Sequence, residues 1–319
     1  MKNKSLRGSL LLLLTAAIWG AAFVAQRVGM DHLGPLTFNG TRMLLAGVAL
    51  LPVIWLNDRA RKAKNAETAP ARAGQSAVNT QPDQKTLLRG GLLCGLFLFI
   101  SSTLQQFGLM TTTAGKAGFI TALYVVLVPL IAWGVMKKNP GRWIWVSVLL
   151  AVVGLFLICV PAGQDFSLNH GDLLVIGCAV CFTGHILVVD HYSPRVDGLR
   201  MSCIQFFVCG LLSLIPAFFT ESITLSALRG ALIPIVYAGV FSGAVGYTLQ
   251  IFAQRDTNPT VASLLMCLEA VFAVLTGALL LGERMTAREG VGCVVMFAAV
   301  ILAQLSPLLH HRPRRSVPE

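Results

Sequence analysis

Thr103-Leu104-Gln105-Gln106-Phe107 returns 145 residues later as Thr248-Leu249-Gln250-Ile251-Phe252. The same offset pairs Ala117 with Ala262 and Leu123 with Leu268. Nearer the N-terminus the offset becomes 163, and it pairs Gly8 with Gly171 and Ala16 with Ala179. The two offsets differ by 18 residues, the extra length of one hydrophilic stretch in the first half. A single insertion reconciles both registers, so the chain reads as an internal duplication.

What is duplicated follows from composition. The 319 residues are 55% hydrophobic and only 12% charged, with a mean hydropathy of +0.72. A soluble domain carries about twice that charge. Ten apolar runs are long enough to cross roughly 30 Å of hydrocarbon. They fall near 8–27, 36–57, 87–110, 114–136, 142–160, 171–190, 200–219, 230–252, 260–281 and 288–306. Each copy therefore holds five spans, and because five is odd the second copy enters the membrane from the opposite side. The expected fold is an all-α integral membrane protein, with ten transmembrane helices arranged as two inverted five-helix repeats. Residues 1–160 form the first repeat, with a disordered cytoplasmic loop at 58–85; residues 161–306 form the second, and 307–319 a basic cytoplasmic tail. Inverted repeats offer two nearly equivalent packings, each open to one face, which is the physical basis of alternating access. A duplication that serves only to build a stable bundle is the competing reading.

The formal charge of +11 resolves into topology rather than a nucleic-acid footprint. With the N-terminus inside, nineteen Lys and Arg residues fall in inside segments and five outside, and Arg42 lies within a span. That bias places both termini in the cytoplasm and removes the reason to expect nucleic acid. The first apolar run continues through Trp19-Gly20-Ala21-Ala22-Phe23, longer than a signal-peptide core, and reads as an uncleaved span. All eight cysteines fall within spans, which implies no disulfide framework. Cys178-x-x-Cys181 lacks a second pair and reads as packing, so no metal is expected. No Gly-rich loop ending in Lys-Ser or Lys-Thr, no His-Glu-x-x-His and no Gly-x-Ser-x-Gly occurs, which argues against nucleotide, cofactor and enzyme chemistry.

The chain resembles the drug/metabolite transporter superfamily, specifically its EamA-type ten-span members. The resemblance rests on Ala17-Ile18-Trp19-Gly20-Ala21-Ala22-Phe23, on Ala117-Gly118-Phe119-Ile120-Thr121-Ala122-Leu123, and on Leu281-Gly282-Glu283-Arg284-Met285-Thr286. It covers the chain except the 58–85 loop and the tail. Where the family often has Glu-Pro in the ninth span, this chain has Glu269-Ala270, and Lys137-Lys138 stands where the second half has Gly282-Glu283. The resemblance implies secondary transport of a small polar or amphipathic metabolite, with export of amino acids or related compounds as its most concrete form.

Charged groups at a helix centre cost about 2.5–3.5 kcal/mol on insertion scales, so each needs a reason to be there. Arg42 and Glu269 are the two clear cases. Glu269 shares a helical face with Leu265, Met266, Phe272 and Ala273, and a carboxyl at that depth suits proton coupling or contact with an amine. Arg42 presents a planar fork for a carboxylate or phosphate. Against these roles stands a structural Arg42–Glu269 pair, or an arginine that bonds backbone carbonyls at the outer mouth.

Repeat mates sharpen the set: Glu269 corresponds to Tyr124, Arg42 to Gln205, and His185 to Ala22. Gly243, Gly246, Tyr247 and Gln250 form one stripe on the eighth span, with Ser102 and Gln105 matching on the third. Trp19, Phe23 and Gln26 line one face of the first span. The candidate binding set is thus Trp19, Arg42, Gln105, Tyr124, His185, Gln205, Tyr247, Gln250 and Glu269. Helix-to-helix bonding competes for the glutamines, and satisfied packing competes for His185. Pro129 and Pro234 are candidate hinges. Spans one to four and six to nine should build the site, leaving the fifth and tenth peripheral. The expected partners are a small-molecule substrate and the lipid bilayer, and a homodimer stays open. A non-transporting membrane scaffold of the same fold is the alternative.

Overall fold

The computed structural model describes residues 2–68, 83–112, 114–137, 139–160, 163, 168–281 and 284–309. Ten helices long and apolar enough to cross a membrane are present among them. In order they are the first (Lys2–Met30), second (Pro35–Thr68), third (Gln84–Leu109), and a fourth in two pieces (Ala114–Ala122 and Tyr124–Met136). The fifth is Arg142–Cys159, the sixth His170–Tyr192 and the seventh Gly198–Thr220. The eighth changes winding along its length (Leu232–Val236, Tyr237–Tyr247, Thr248–Gln254), the ninth is again in two pieces (Pro259–Met266 and Glu269–Leu281), and the tenth is Ala287–Leu309. Ten crossings is an even number, so both ends of the chain lie on one face, called here the termini face.

Local chemistry sets several helix starts. Asn169 and Asp172 form a capping box at the sixth span, each side chain accepting from the other residue's amide. Asp197 caps the seventh, and Asn258 with Pro259 opens the ninth. Asp83 caps the third, and its carboxyl is held below the usual carboxylate range by the Thr86 hydroxyl and then the Lys85 amide.

The packing has the symmetry of an inverted repeat. The second span packs on the seventh and the fifth on the tenth, each against its own mate. The third packs on the sixth as the first does on the eighth, and the third on the seventh as the second does on the eighth. Two polar staples obey the same relation. On the far face Glu221 accepts from the Leu36 and Thr37 amides at 2.9 and 2.8 Å and from the Thr37 hydroxyl at 2.6 Å. On the termini face its mate Asp58 accepts from Arg200, the mate of Thr37, at 2.9 Å. The second and seventh spans are thereby fastened to one another at both ends.

The fifth and tenth spans meet through small residues: a Cβ on Gly154 would stand 3.0 Å from the Gly292 carbonyl, and one on Gly292 2.9 Å from the Gly154 carbonyl. Large apolar side chains such as Phe218, Phe219, Ile233 and Leu279 point outward, as hydrocarbon surroundings require.

The segment 58–85, expected as a disordered loop, is helical through Thr68, and the third span begins at Gln84. Two observations account for the extension. The stretch Asp58-Arg59-Ala60-Arg61-Lys62-Ala63-Lys64 is rich in strong helix formers, and Asp58 and Arg61 pair with Arg200 and Asp197 of the seventh span. Residues 69–82 lie outside the described residues. The tenth helix runs to Leu309, inside the expected tail, and 310–319 lie outside the described residues, as do Lys138, Gly282 and Glu283.

Candidate functional site

The fourth and ninth spans break at equivalent places. Leu123 donates its amide to Ile120 and Leu268 to Leu265, both at 3.2 Å, so each helix tightens for one turn at the same repeat position. In the fourth span the Val126 amide turns to Leu123, and the Cys267 thiol donates to the Ala122 carbonyl at 3.6 Å. The Tyr124 hydroxyl donates to Glu269 Oε1 at 3.3 Å. Both contacts join residues 145 apart, which are mates. Two mates that touch must lie beside the pseudo-two-fold axis, so the axis passes between the two breaks.

Neither break contains proline or glycine. Pro129, expected as a hinge, lies within the unbroken helix Tyr124–Met136. Its mate is Val274, so proline cannot be the cause of a feature that both repeats share. Pro234 lies in Leu232–Val236, directly before the winding of the eighth span changes. Gly20 brings the first span onto the second break: a Cβ there would stand 2.6 Å from the Glu269 carbonyl and 2.7 Å from the Ala273 amide.

A cavity opens around the axis. Counting its open mouth, it encloses about 590 Å³ of space not filled by protein atoms. Trp19, Arg42, Gln105, Tyr124, Tyr247, Gln250 and Glu269 of the sequence-derived set all line it. Residues not singled out as binding candidates, among them Thr121, Phe182, Ser242 and Met266, line it too. Their signal was present in the repeat, because Phe182 is the mate of Trp19 and Met266 the mate of Thr121. The first four spans and the sixth, eighth and ninth contribute; the seventh, fifth and tenth do not.

Arg42 is buried and its guanidinium donates twice to Asn39 Oδ1, at 2.9 and 3.2 Å. Asn39 in turn donates to the Ser102 and Ser213 hydroxyls at 2.9 and 3.0 Å. The three ion pairs among the described residues do not include Arg42 or Glu269. The structural Arg42–Glu269 pair weighed from sequence is therefore not formed; each group lines the cavity while held by neutral partners. Gln105 donates to the Thr121 hydroxyl at 3.2 Å.

His185 and Gln205, placed in the binding set from sequence, do not line the cavity. Both are fully buried on the termini side of it and bond to each other at 3.0 Å through His185 Nε2 and Gln205 Oε1.

The expected stripe on the eighth span is split, because Tyr237–Tyr247 winds as a π-helix. A π turn brings residues five apart into line, so Ser242 and Tyr247 share the cavity wall with Gln250. Gly243 faces Ala46 and Gly246 faces Trp19. Trp19 donates its indole N–H to the Ser242 carbonyl at 3.1 Å, and its ring lies 4.7 Å from that of Tyr247.

Against known proteins, the sequence pattern of the EamA-like transporter family fits residues 6–160 and 169–305. The chain is 30% identical to an uncharacterized transporter of Archaeoglobus fulgidus, over 95% of this chain and 87% of that one. It is 22% identical to the uncharacterized transporter YwfM of Bacillus subtilis, covering 94% of each. It is 23% identical to the uncharacterized inner membrane transporter YedA of Escherichia coli, over 92% of this chain and 89% of that one. A solved crystal structure at 14% identity superposes with a TM-score of 0.74 over 95% of this chain and 99% of its own, which establishes the likeness of fold.

Proposed function

We propose, from the premise that this chain belongs to the EamA-like transporter family, that it moves a small zwitterionic metabolite by alternating access. The chain is a multi-pass membrane transporter rather than an enzyme. Amino acids or close relatives are the substrate class this reading assigns, with export the direction, both termini in the cytoplasm and the bacterial inner membrane the location. The observation that carries it is the separation of charge in one cavity. Arg42 is bonded to Asn39, Glu269 to Tyr124, and no carboxylate or ammonium of the described chain neutralises either.

Leaving a charge unpaired at this depth costs several kcal/mol, so a ligand that supplies both opposite charges recovers what the protein itself does not. Arg42 takes the carboxylate, and its fork is already aligned by Asn39. Glu269 takes the amine or a proton in turn, which couples release of one to uptake of the other. Trp19, Tyr247, Gln105 and Gln250 supply the apolar walls and the remaining bonds. The positioning beside the axis supports this reading, because a group there is shared by both packings of the repeats.

The test is release of a mixture of proteinogenic amino acids from proteoliposomes with an imposed pH gradient. Time-dependent release of a subset, lost in Glu269→Gln and Arg42→Ala, is expected. A folded protein that releases none of them, and that co-purifies with a stable partner, would favour the scaffold reading instead.

A further inference from the structure

The two ends of the pathway are repeat images, yet they are not in the same state. On the far side Gln26, Arg42 and Gln105 line the cavity and retain 8%, 5% and 7% exposure. Their mates on the termini side, Val189, Gln205 and Gln250, retain 0%, 0% and 1%, and of these Gln250 alone reaches the cavity. The backbone agrees. Thr248–Gln254, the termini-side end of the eighth span, packs against the sixth span, and so does Pro259–Met266. Among the described residues the first span meets the third on the far side through one side-chain bond, Gln106 Nε2 donating to Gln26 Oε1 at 2.9 Å, without helix packing of that extent between the first span and the third or Ala114–Ala122.

The closed side also carries polar atoms that nothing explains as packing. His185 Nδ1, Gln205 Nε2, Gln250 Oε1 and Gln254 Oε1 are all buried without a protein partner. Buried polar groups are normally bonded, and leaving one unpaired is costly. Thr103 Oγ1 and Gln106 Oε1 on the third span are likewise unpartnered, so such atoms occur toward both ends; on the termini side three of the four sit on the side chains that bond the sixth span to the seventh and eighth. Two bonds fasten that side: His185 to Gln205 at 3.0 Å, and Gln254 Nε2 to the Ile186 carbonyl at 3.3 Å.

We infer that the sixth, seventh and eighth spans enclose a second, closed vestibule on the termini face, and that His185, Gln205 and Gln254 are its gate. The inference rests on the alternating-access reading and extends it to named residues. When the sixth and eighth spans part, the imidazole and the three amides line a neutral polar passage, while the first and third close over Arg42. The eighth span has the means to do this. Its π-wound segment Tyr237–Tyr247 has an ordinary α-helical mate in the third span, so rewinding it would turn Thr248–Gln254 relative to the sixth span. The second and seventh spans, stapled alike at both ends, stay together and serve as the frame.

The experiment reads thiol accessibility and needs no substrate. Gln205→Cys and Gln254→Cys, each in the full-length chain in oriented membrane vesicles, are exposed to a membrane-impermeant maleimide from either face. The wild type, with its eight native cysteines buried or half-buried, supplies the background. Both variants are expected to react from the termini face only. Adding His185→Leu to Gln254→Cys should raise its rate about fivefold, the effect of losing one neutral hydrogen bond that holds the gate shut. Gln105→Cys, on the open side, should react from the far face and shows that the protein is folded. Reaction of position 205 or 254 from the far face overturns the gate. So does a rate equal to background at both positions while Gln105→Cys reacts. Flux that persists with a silent gate sinks this inference alone, whereas a reactive gate in a protein without flux sinks the transport reading.

Discussion

The far vestibule and its repeat image on the termini side are built from equivalent stretches of chain, but their chemistry differs. The first holds a guanidinium fixed by Asn39, and the second holds an imidazole bonded to an amide. A charged mouth opposite a neutral one gives the two ends different affinities for the same ligand, and a ligand shifts an equilibrium only by its differential affinity. Duplication therefore supplies the moving scaffold, while divergence at Arg42 and Gln205 and at Tyr124 and Glu269 supplies the polarity of the pathway. A perfectly symmetric site would bind alike in both packings.

The strongest way to break this comparison is Glu269→Gln, which makes the centre neutral. Flux driven by a pH gradient in proteoliposomes should fall about hundredfold, the equivalent of roughly 3 kcal/mol for one charge-assisted contact. The dependence of the remaining flux on the gradient should vanish, and unchanged gradient dependence would remove the carboxyl from coupling. Arg42→Ala makes the far mouth resemble the termini side. Half-saturation for carboxylate-bearing probes should rise about thirtyfold, roughly 2 kcal/mol, with probes lacking a carboxylate little affected. An equal loss for both kinds of probe would mean that Arg42 only organises Asn39 and the serines.

Gly20→Val tests whether the first span must touch the second break. Thermal unfolding in detergent should reveal a loss of about 1–2 kcal/mol from overpacking against backbone that cannot yield. Full stability would show that the first span can withdraw from Glu269. The smallest effects compare the two staples. Glu221→Ala removes a cap from two amides and a hydroxyl, and should cost about 1 kcal/mol. Asp58→Ala breaks a half-exposed pair and should cost less, about 0.5 kcal/mol or under. A reversed order would mean that the frame is anchored at the termini face.

Much of the fold was legible because hydrocarbon imposes a simple rule: spans must be long, apolar and helical, and the ten runs from residue 8 to residue 306 meet it. The second helix outran its apolar run because Asp58 and Arg61 found partners on the seventh span, which no local pattern reveals. At the site, charge in hydrocarbon pointed to Arg42 and Glu269, and both line the cavity. The helical stripe on the eighth span did not survive, since periodicity assumes 3.6 residues per turn and this segment winds more widely. The prolines drew attention away from Leu123 and Leu268, whose turns follow from two helices crossing on the axis rather than from either residue.

The sequence alone determined that the chain spans a membrane ten times, that its halves repeat and that the repeats are inverted. Those conclusions need only composition, run length and the parity of five. The tertiary structure decided that mates 145 residues apart touch at the breaks, that Arg42 and Glu269 share a cavity without pairing, and that Arg42 faces this cavity while its mate Gln205 lies outside it, bonded to His185. Such features depend on how two nearly equivalent packings resolve into one. A sequence that encodes both packings contains no pattern to say which is occupied.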